Sequence, residues 1–175
     1  MKVQIVGWPD ESDLLWCKQC ALGTMGRDTD TPPTREWLHK ILEARHSPIR
    51  ELVFRFVLEV PYWVSVHLVR HHVGFQPYVQ SQRNDRQSQY DRTKAPQDAP
   101  VTMRVSLNAE ALMTLANKRL CMKASEETRW VVQQMCWQAE EKVPALRGLC
   151  VAACEYHGGV CHEMQSCGRC KVGKV

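Results

Sequence analysis

The chain has 175 residues, 44% of them apolar and 24% charged, which is enough for one domain with a buried core. Its formal net charge of +4 suits anionic ligands but is too small to mark a dedicated nucleic-acid binder. No apolar run approaches the roughly 20 residues that span a bilayer.

The opening Met-Lys-Val-Gln-Ile-Val has strand character rather than the longer apolar stretch of a signal peptide. The chain is therefore expected to stay in the cytoplasm, where its nine cysteines would be metal ligands or free thiols rather than structural disulfides. Val3 and Ile5 alternate with polar neighbours from Lys2 to Gly7, which predicts a first strand. Pro9-Asp10-Glu11-Ser12 then opens a helix with acidic groups at its positive end. That helix carries Leu14, Leu15, Cys17, Cys20 and Ala21. Its Cys17-x-x-Cys20 spacing fits a redox or metal pair, but two small core residues are the simpler reading.

A polar loop from Gly23 to Pro33 leads to Thr34, which caps a helix through Arg45 with Trp37, Leu38, Ile41 and Leu42 on one face. Ser47-Pro48 suits another helix start. From Leu52 to Val60 the period changes to two, with Leu52, Phe54, Phe56, Leu58 and Val60 facing one way. Pro61 starts a helix through Val69, and Gly74 breaks it. A short strand is expected from Tyr78 to Arg83, a polar segment from Asn84 to Pro100, and a strand from Val101 to Leu107. Asn108 caps a helix ending near Arg119, and a long helix runs from about Ser125 to Lys142. Pro144 opens a short last helix, and Gly158-Gly159 leads into a cysteine-rich tail.

One stretch does not fit a core. Between His67 and Arg83 the chain gathers Arg70, His71, His72, Gln76, Gln80, Ser81 and Gln82 behind an apolar run. Buried without partners, such groups cost about 1–3 kcal/mol each. Convergent cations and amides at the end of a packed element instead form a site for an anion, and Arg guanidinium groups bind phosphates through paired, charge-assisted hydrogen bonds.

Arg70-His71-His72 followed by Ser81 resembles the Arg-His-Arg-x7-Ser signature of the flavin-dependent thymidylate synthases. His46-Ser-Pro-Ile-Arg-Glu51 is similar to that family's His-x-Ser/Thr-x-x-Glu segment, and the helix start at Asn108 is similar to its Asn-x-Arg-x-Leu. Arg119 matches an arginine the family uses on the nucleotide phosphate. The resemblance covers about residues 35 to 146. It implies an α+β, ThyX-like fold with a central, mostly antiparallel sheet flanked by helices over residues 1–149, plus a Cys-rich tail over 150–175. It also implies reductive methylation of dUMP to dTMP, with FAD as cofactor and NADPH and methylenetetrahydrofolate as co-substrates, in a homo-oligomer, expected to be a tetramer, with sites between subunits. His46, Glu51, Arg70, His71, His72 and Asn108 would hold flavin; His67, Ser81, Arg83 and Arg119 would hold the nucleotide; Ser81 and Arg70 would serve catalysis.

The sequence departs from the family at several positions. His72 replaces the second Arg of the signature, and residues 73–80 make the spacer one longer. Tyr78-Val79 stands where an Asn-Glu pair precedes the serine, so a nucleotide-contacting carboxylate is missing. Asn84 replaces a Tyr, His67 a glutamine and Glu110 a flavin-contacting arginine. The segment between Ser81 and Asn108 is shorter than the family's and lacks a helical insertion with a further nucleotide-binding arginine. These differences leave open a flavin-dependent enzyme acting on another pyrimidine nucleotide.

In the tail, Cys154, Cys161, Cys167 and Cys170 are the best four-ligand zinc set, with Cys167-Gly-Arg-Cys170 as a knuckle. An iron–sulfur cluster or a group of free thiols are the other readings. The non-enzymatic alternative is a single-strand nucleic-acid module using Arg70, Arg83, Arg86, Arg92 and Lys94 with Tyr78 and Tyr90, plus a zinc knuckle. Partnership with nucleic acid is the weaker reading, and none with a membrane is expected.

Overall fold

A computed structural model describes residues 1–83, 85, 91 and 93–173. Asn84, Arg86, Tyr90 and Arg92 lie outside the described residues. The architecture is α+β, as expected: four antiparallel strands in one sheet with helices packed on one face.

Strand β1 (Lys2–Gly7) pairs with β2 (Val53–Pro61), β2 with β4 (Pro100–Asn108), and β4 with β3 (Phe75–Val79), giving the order β1-β2-β4-β3. The period-two patterns decide which face is buried. Phe54, Phe56, Leu58 and Val60 of β2 and Val101, Met103, Val105 and Leu107 of β4 all point into the core. Burying each large side chain contributes about 1.5–3 kcal/mol. The opposite face carries Arg55, Val57, Arg104, Ser106 and Tyr78 and forms an open depression of about 400 Å³.

Helix α1 (Glu11–Gly23) begins in a capping box, Asp10 accepting from the Asp13 amide while Asp13 accepts from the Asp10 amide. Its Cys17 is fully buried, and burial, with Cys20 and Glu51 nearby, pushes that thiol up to about 12. The Cys17-x-x-Cys20 spacing therefore serves packing: such a thiol stays protonated and unreactive. Helix α2 (Arg35–Glu43) is capped by Thr34 and buries Leu38 and Leu42. The helix expected at Ser47-Pro48 is a single 3-10 turn, Ser47–Glu51, because β2 begins directly after it.

Helix α3 (Tyr62–Val69) follows β2 without a break. The strand expected at Tyr78–Arg83 instead runs Phe75–Val79. Pairing with β4 sets those bounds, since Phe75 meets Leu107 and Val79 meets Met103. Helices α4 (Ala109–Arg119) and α5 (Glu126–Lys142) are capped by Asn108 and Ser125, and bury Leu112, Leu115, Val131 and Met135 among others. Beyond a 3-10 turn at Pro144–Leu146, the tail forms α6 (Ala153–Tyr156) and two short parallel strands, β5 (Val160–Cys161) and β6 (Lys171–Val172). The Arg45 guanidinium stacks on the Tyr156 ring at 4.8 Å, which ties α6 to the end of α2. No helix among the described residues is long and apolar enough to cross a membrane.

Candidate active site

Three turns converge at one end of the sheet. The first is the exit of α3, where Arg70 closes the helix and His71 and His72 follow. The second is the bend at Gly74, whose φ of +67° places it in the left-handed region. A Cβ there would lie 2.7 Å from Asn108 Nδ2, so only glycine lets the two segments approach. The Asn108 amide donates to the Gly74 carbonyl at 3.1 Å, and Asn108 Oδ1 accepts from the Ala111 amide at 2.9 Å. Asn108 thus joins the bend to the start of α4 and keeps its Nδ2 donor. The third turn is the end of α4, where Arg119 faces back toward α3.

Arg119 is the hinge of the arrangement. Its Nε donates to His71 Nε2 at 2.9 Å, and its Nη2 donates to the His67 carbonyl at 2.8 Å. Burial, with the Arg119 and His72 charges close by, holds the His71 imidazole down at about 4. His71 is therefore neutral at pH 7, accepting at Nε2 and carrying its proton on Nδ1. Burial and the charge of Arg70 in turn pull the Arg119 guanidinium below its ordinary value. Among the described residues, no carboxylate lies within salt-bridge distance of Arg70 or Arg119. Two guanidinium groups held near each other without a neutralising acid form a site that an anion completes.

Two grooves flank this pair. One, of about 170 Å³, is lined by Arg70, His71, His72, Phe75, Ala111 and Thr114. The other, of about 310 Å³, is lined by His71, Lys118, Arg119, Cys121, Lys123 and Glu163. His67 stands behind them, its Nδ1 3.2 Å from the hydroxyl of the buried Thr128. Lys118, Lys123, Thr128 and Glu163 escaped the sequence reading. The run Lys118-Arg119 with Lys123 was the available signal, but only the tertiary contact between α4 and the tail turns it into a groove.

Of the remaining expected site residues, His46 and Glu51 stand at the two ends of a turn; the carbonyl of the next residue, Leu52, accepts from the Ala109 amide at 2.9 Å beside Asn108, and Ser81 and Arg83 follow β3. His46 precedes the 3-10 turn and is exposed. Arg50 donates to Glu110 at 2.6 Å, and Glu51 accepts from the Trp16 indole at 3.2 Å, so this turn is fastened to α4 and α1. Strand β3 leads away from the cluster at about 3.3 Å per residue, and Ser81 lies beyond its end. Ser81 Oγ accepts from the Arg83 amide at 3.3 Å, and the Arg83 guanidinium forks onto Asp85 at 2.9 and 2.7 Å. These bonds of Ser81 and Arg83 are local in sequence, whereas those of Arg119 reach His71 and the His67 carbonyl.

The zinc set is not assembled. Cys154 and Cys170 share a hydrogen bond and Cys161 is buried, but among the described residues no group of three or more His, Cys, Asp or Glu side chains is arranged to hold a metal ion. Cys154, Cys161, Cys167 and Cys170 line one cavity of about 210 Å³, but a tetrahedral site needs four donors drawn onto one centre. All nine cysteines are free thiols. The basic stripe of the nucleic-acid reading is partly neutralised, since Arg83 pairs with Asp85 and Lys94 with Asp91 at 3.4 Å.

The family described as thymidylate synthase complementing protein (Thy1) matches residues 85–145, which include Asn108 and Arg119. No curated protein matches the sequence significantly. Among solved structures, the UMP/dUMP methylase PolB from Streptomyces cacaoi, bound with 5-Br dUMP, is similar over 85% of this chain and 93% of its own. The TM-score is 0.67 at 17% identity, so the likeness is one of fold. Residues 85–145 are thus similar to this family, and the fold as a whole is similar to that of the methylase.

Proposed function

We propose that this ThyX-like chain is a flavin-dependent thymidylate synthase that methylates dUMP at the expense of methylenetetrahydrofolate and NADPH. The observation that supports the reading is the pairing of Arg119 with a neutral His71 beside Arg70, two guanidinium groups with no salt-bridging carboxylate among the described residues, in the stretch that resembles the family's signature. The donor set fits a cofactor bearing a pyrophosphate. Arg70, His72 and the free Nδ2 of Asn108 would hold FAD, with His71 offering Nδ1–H to it. The reduced flavin, when bound, supplies the hydride. This chain's residues bind, orient and neutralise: Arg119 would meet the nucleotide phosphate, while His71 fixes the plane of its guanidinium.

Ser81 and Arg83 enter this reading through a second subunit, whereas His46 and Glu51 belong to the turn packed on the start of α4. The position of Ser81 and Arg83 beyond β3, together with an open sheet face bearing the 67% exposed Tyr78 beside Val57 and Val6, supports a homo-oligomer with shared sites. A cytoplasmic setting fits the free thiols.

A second reading keeps the cofactor and changes the substrate to UMP. It is favoured by Tyr78-Val79 where the family carries a nucleotide-contacting glutamate, and by the name of the PolB relative, a UMP/dUMP methylase. The test is direct. The purified protein should be yellow and, given methylenetetrahydrofolate and NADPH, should convert dUMP to dTMP. Methylation of UMP in preference to dUMP would select the second reading. A colourless protein whose nucleic-acid affinity falls steeply with salt would reject both.

A further inference from the structure

The groove beside Arg119 has a feature that the signature residues do not explain: the tail lies across it. Residues Glu163 to Gln165 are anchored there at two points. Glu163 Oε1 lies 3.4 Å from Lys118 Nζ, and the Gln165 carbonyl accepts from Lys123 Nζ at 2.8 Å. Lys118, Lys123 and Glu163 line the same cavity as Arg119 and His71. Three cations therefore face one space, and the carboxylate at its edge comes from a strap rather than from the framework.

The strap is a loop with a closed base. Arg169 Nη2 pairs with Glu155 Oε1 at 2.6 Å, the Cys154 and Cys170 thiols share a hydrogen bond, and the Gly173 amide donates to the Cys161 carbonyl at 2.9 Å. The tip is held more weakly than the base. Lys118 and Glu163 are 61% and 43% exposed, and an ion pair so open to water contributes little. A phosphate dianion in the groove could meet Lys118, Lys123 and Arg119 together, replacing one screened carboxylate by a doubly charged group with several acceptor oxygens.

We infer that Lys118 and Lys123 are phosphate-binding residues of this groove, and that Glu163 occupies Lys118 until a ligand phosphate displaces it. The inference rests on reading the groove as the phosphate site. The phosphate belongs to a nucleotide monophosphate or to the flavin pyrophosphate, and the two sources are separable by experiment.

Calorimetric titration of the full chain with dUMP, deoxyuridine and FAD tests this. Lys118→Ala and Lys123→Ala should each weaken dUMP about tenfold and leave deoxyuridine unchanged. Glu163→Gln should tighten dUMP severalfold, and that gain should vanish in the Lys118→Ala background. The same pattern seen with FAD and not with dUMP supports the inference with flavin as the source. Wild-type affinity for both phosphates in the lysine and Glu163 variants, with binding lost in Arg119→Ala, overturns the inference and leaves the nucleotide reading intact. Absence of dUMP and FAD binding by the parent chain itself overturns both.

Discussion

Arg119 and His71 lie at opposite ends of a 2.9 Å hydrogen bond that joins the last turn of α4 to the residues just beyond α3. The guanidinium donates and the imidazole accepts, so the contact exists only while His71 is neutral. Because Arg119 also holds the His67 carbonyl, one side chain orders both the end of α3 and the groove. Arg119→Ala should therefore have two effects. Loss of hydrogen bonds made by a charged donor should cost about 1.5–3 kcal/mol of stability, read from denaturant unfolding. Affinity for dUMP should fall at least about tenfold, as expected when a charge-assisted phosphate contact is lost. Arg119→Lys should recover part of the affinity but not the stability, since an ammonium cannot reach both acceptors in one plane.

The same bond sets a pH dependence. His71 is held at about 4 in the folded chain, below the ordinary imidazole value of about 6.5 in the unfolded one. Between these values the unfolded state binds the extra proton, so stability rises with pH through that window. It should be complete above about pH 6.5 and lost as pH falls toward 4. His71→Gln, which can still accept from Arg119, should flatten that slope in urea titrations taken across the window. An unchanged slope would assign it to other groups.

Gly74 is the position where backbone and site are least separable. Its φ of +67° and the 2.7 Å approach of Asn108 Nδ2 leave no room for a Cβ. Gly74→Ala should destabilise the chain by more than about 1 kcal/mol, because the strained backbone adds to the displaced cap. A thermal unfolding midpoint equal to that of the parent would contradict this account.

Arg70 has a different role. It is exposed at the end of α3 and its charge acts on Arg119, so removing it should relieve repulsion rather than unfold the chain. Arg70→Ala should fold normally and purify without flavin. Flavin content equal to that of the parent, measured by absorbance after denaturation, would count against the proposed cofactor site.

How much of this was legible beforehand follows from the range of the forces involved. The strands Lys2–Gly7, Val53–Pro61 and Pro100–Asn108 and the helices begun by Asp10, Thr34, Asn108 and Ser125 are local matters of side-chain alternation and capping. The sequence by itself therefore determined the α+β class, the buried faces of β2 and β4, and the gathering of Arg70, His71 and His72 at the end of α3. Misreadings occurred where a longer-range partner intervened. Pairing with β4 moved β3 to Phe75–Val79, and the four tail thiols line one cavity without closing on a common centre.

Only the tertiary structure decided what the polar residues do. It turned Arg119 onto His71 and set Glu163 of the tail against Lys118, contacts between positions 48 and 45 residues apart. It also engaged Glu51 with Trp16 and sent Ser81 beyond the end of β3, away from the signature it follows in sequence. Motif spacing records which chemical groups are available. Whether a guanidinium faces an imidazole, a carboxylate or a ligand depends on where packing brings distant segments together, and a charged group's energy changes severalfold with that choice.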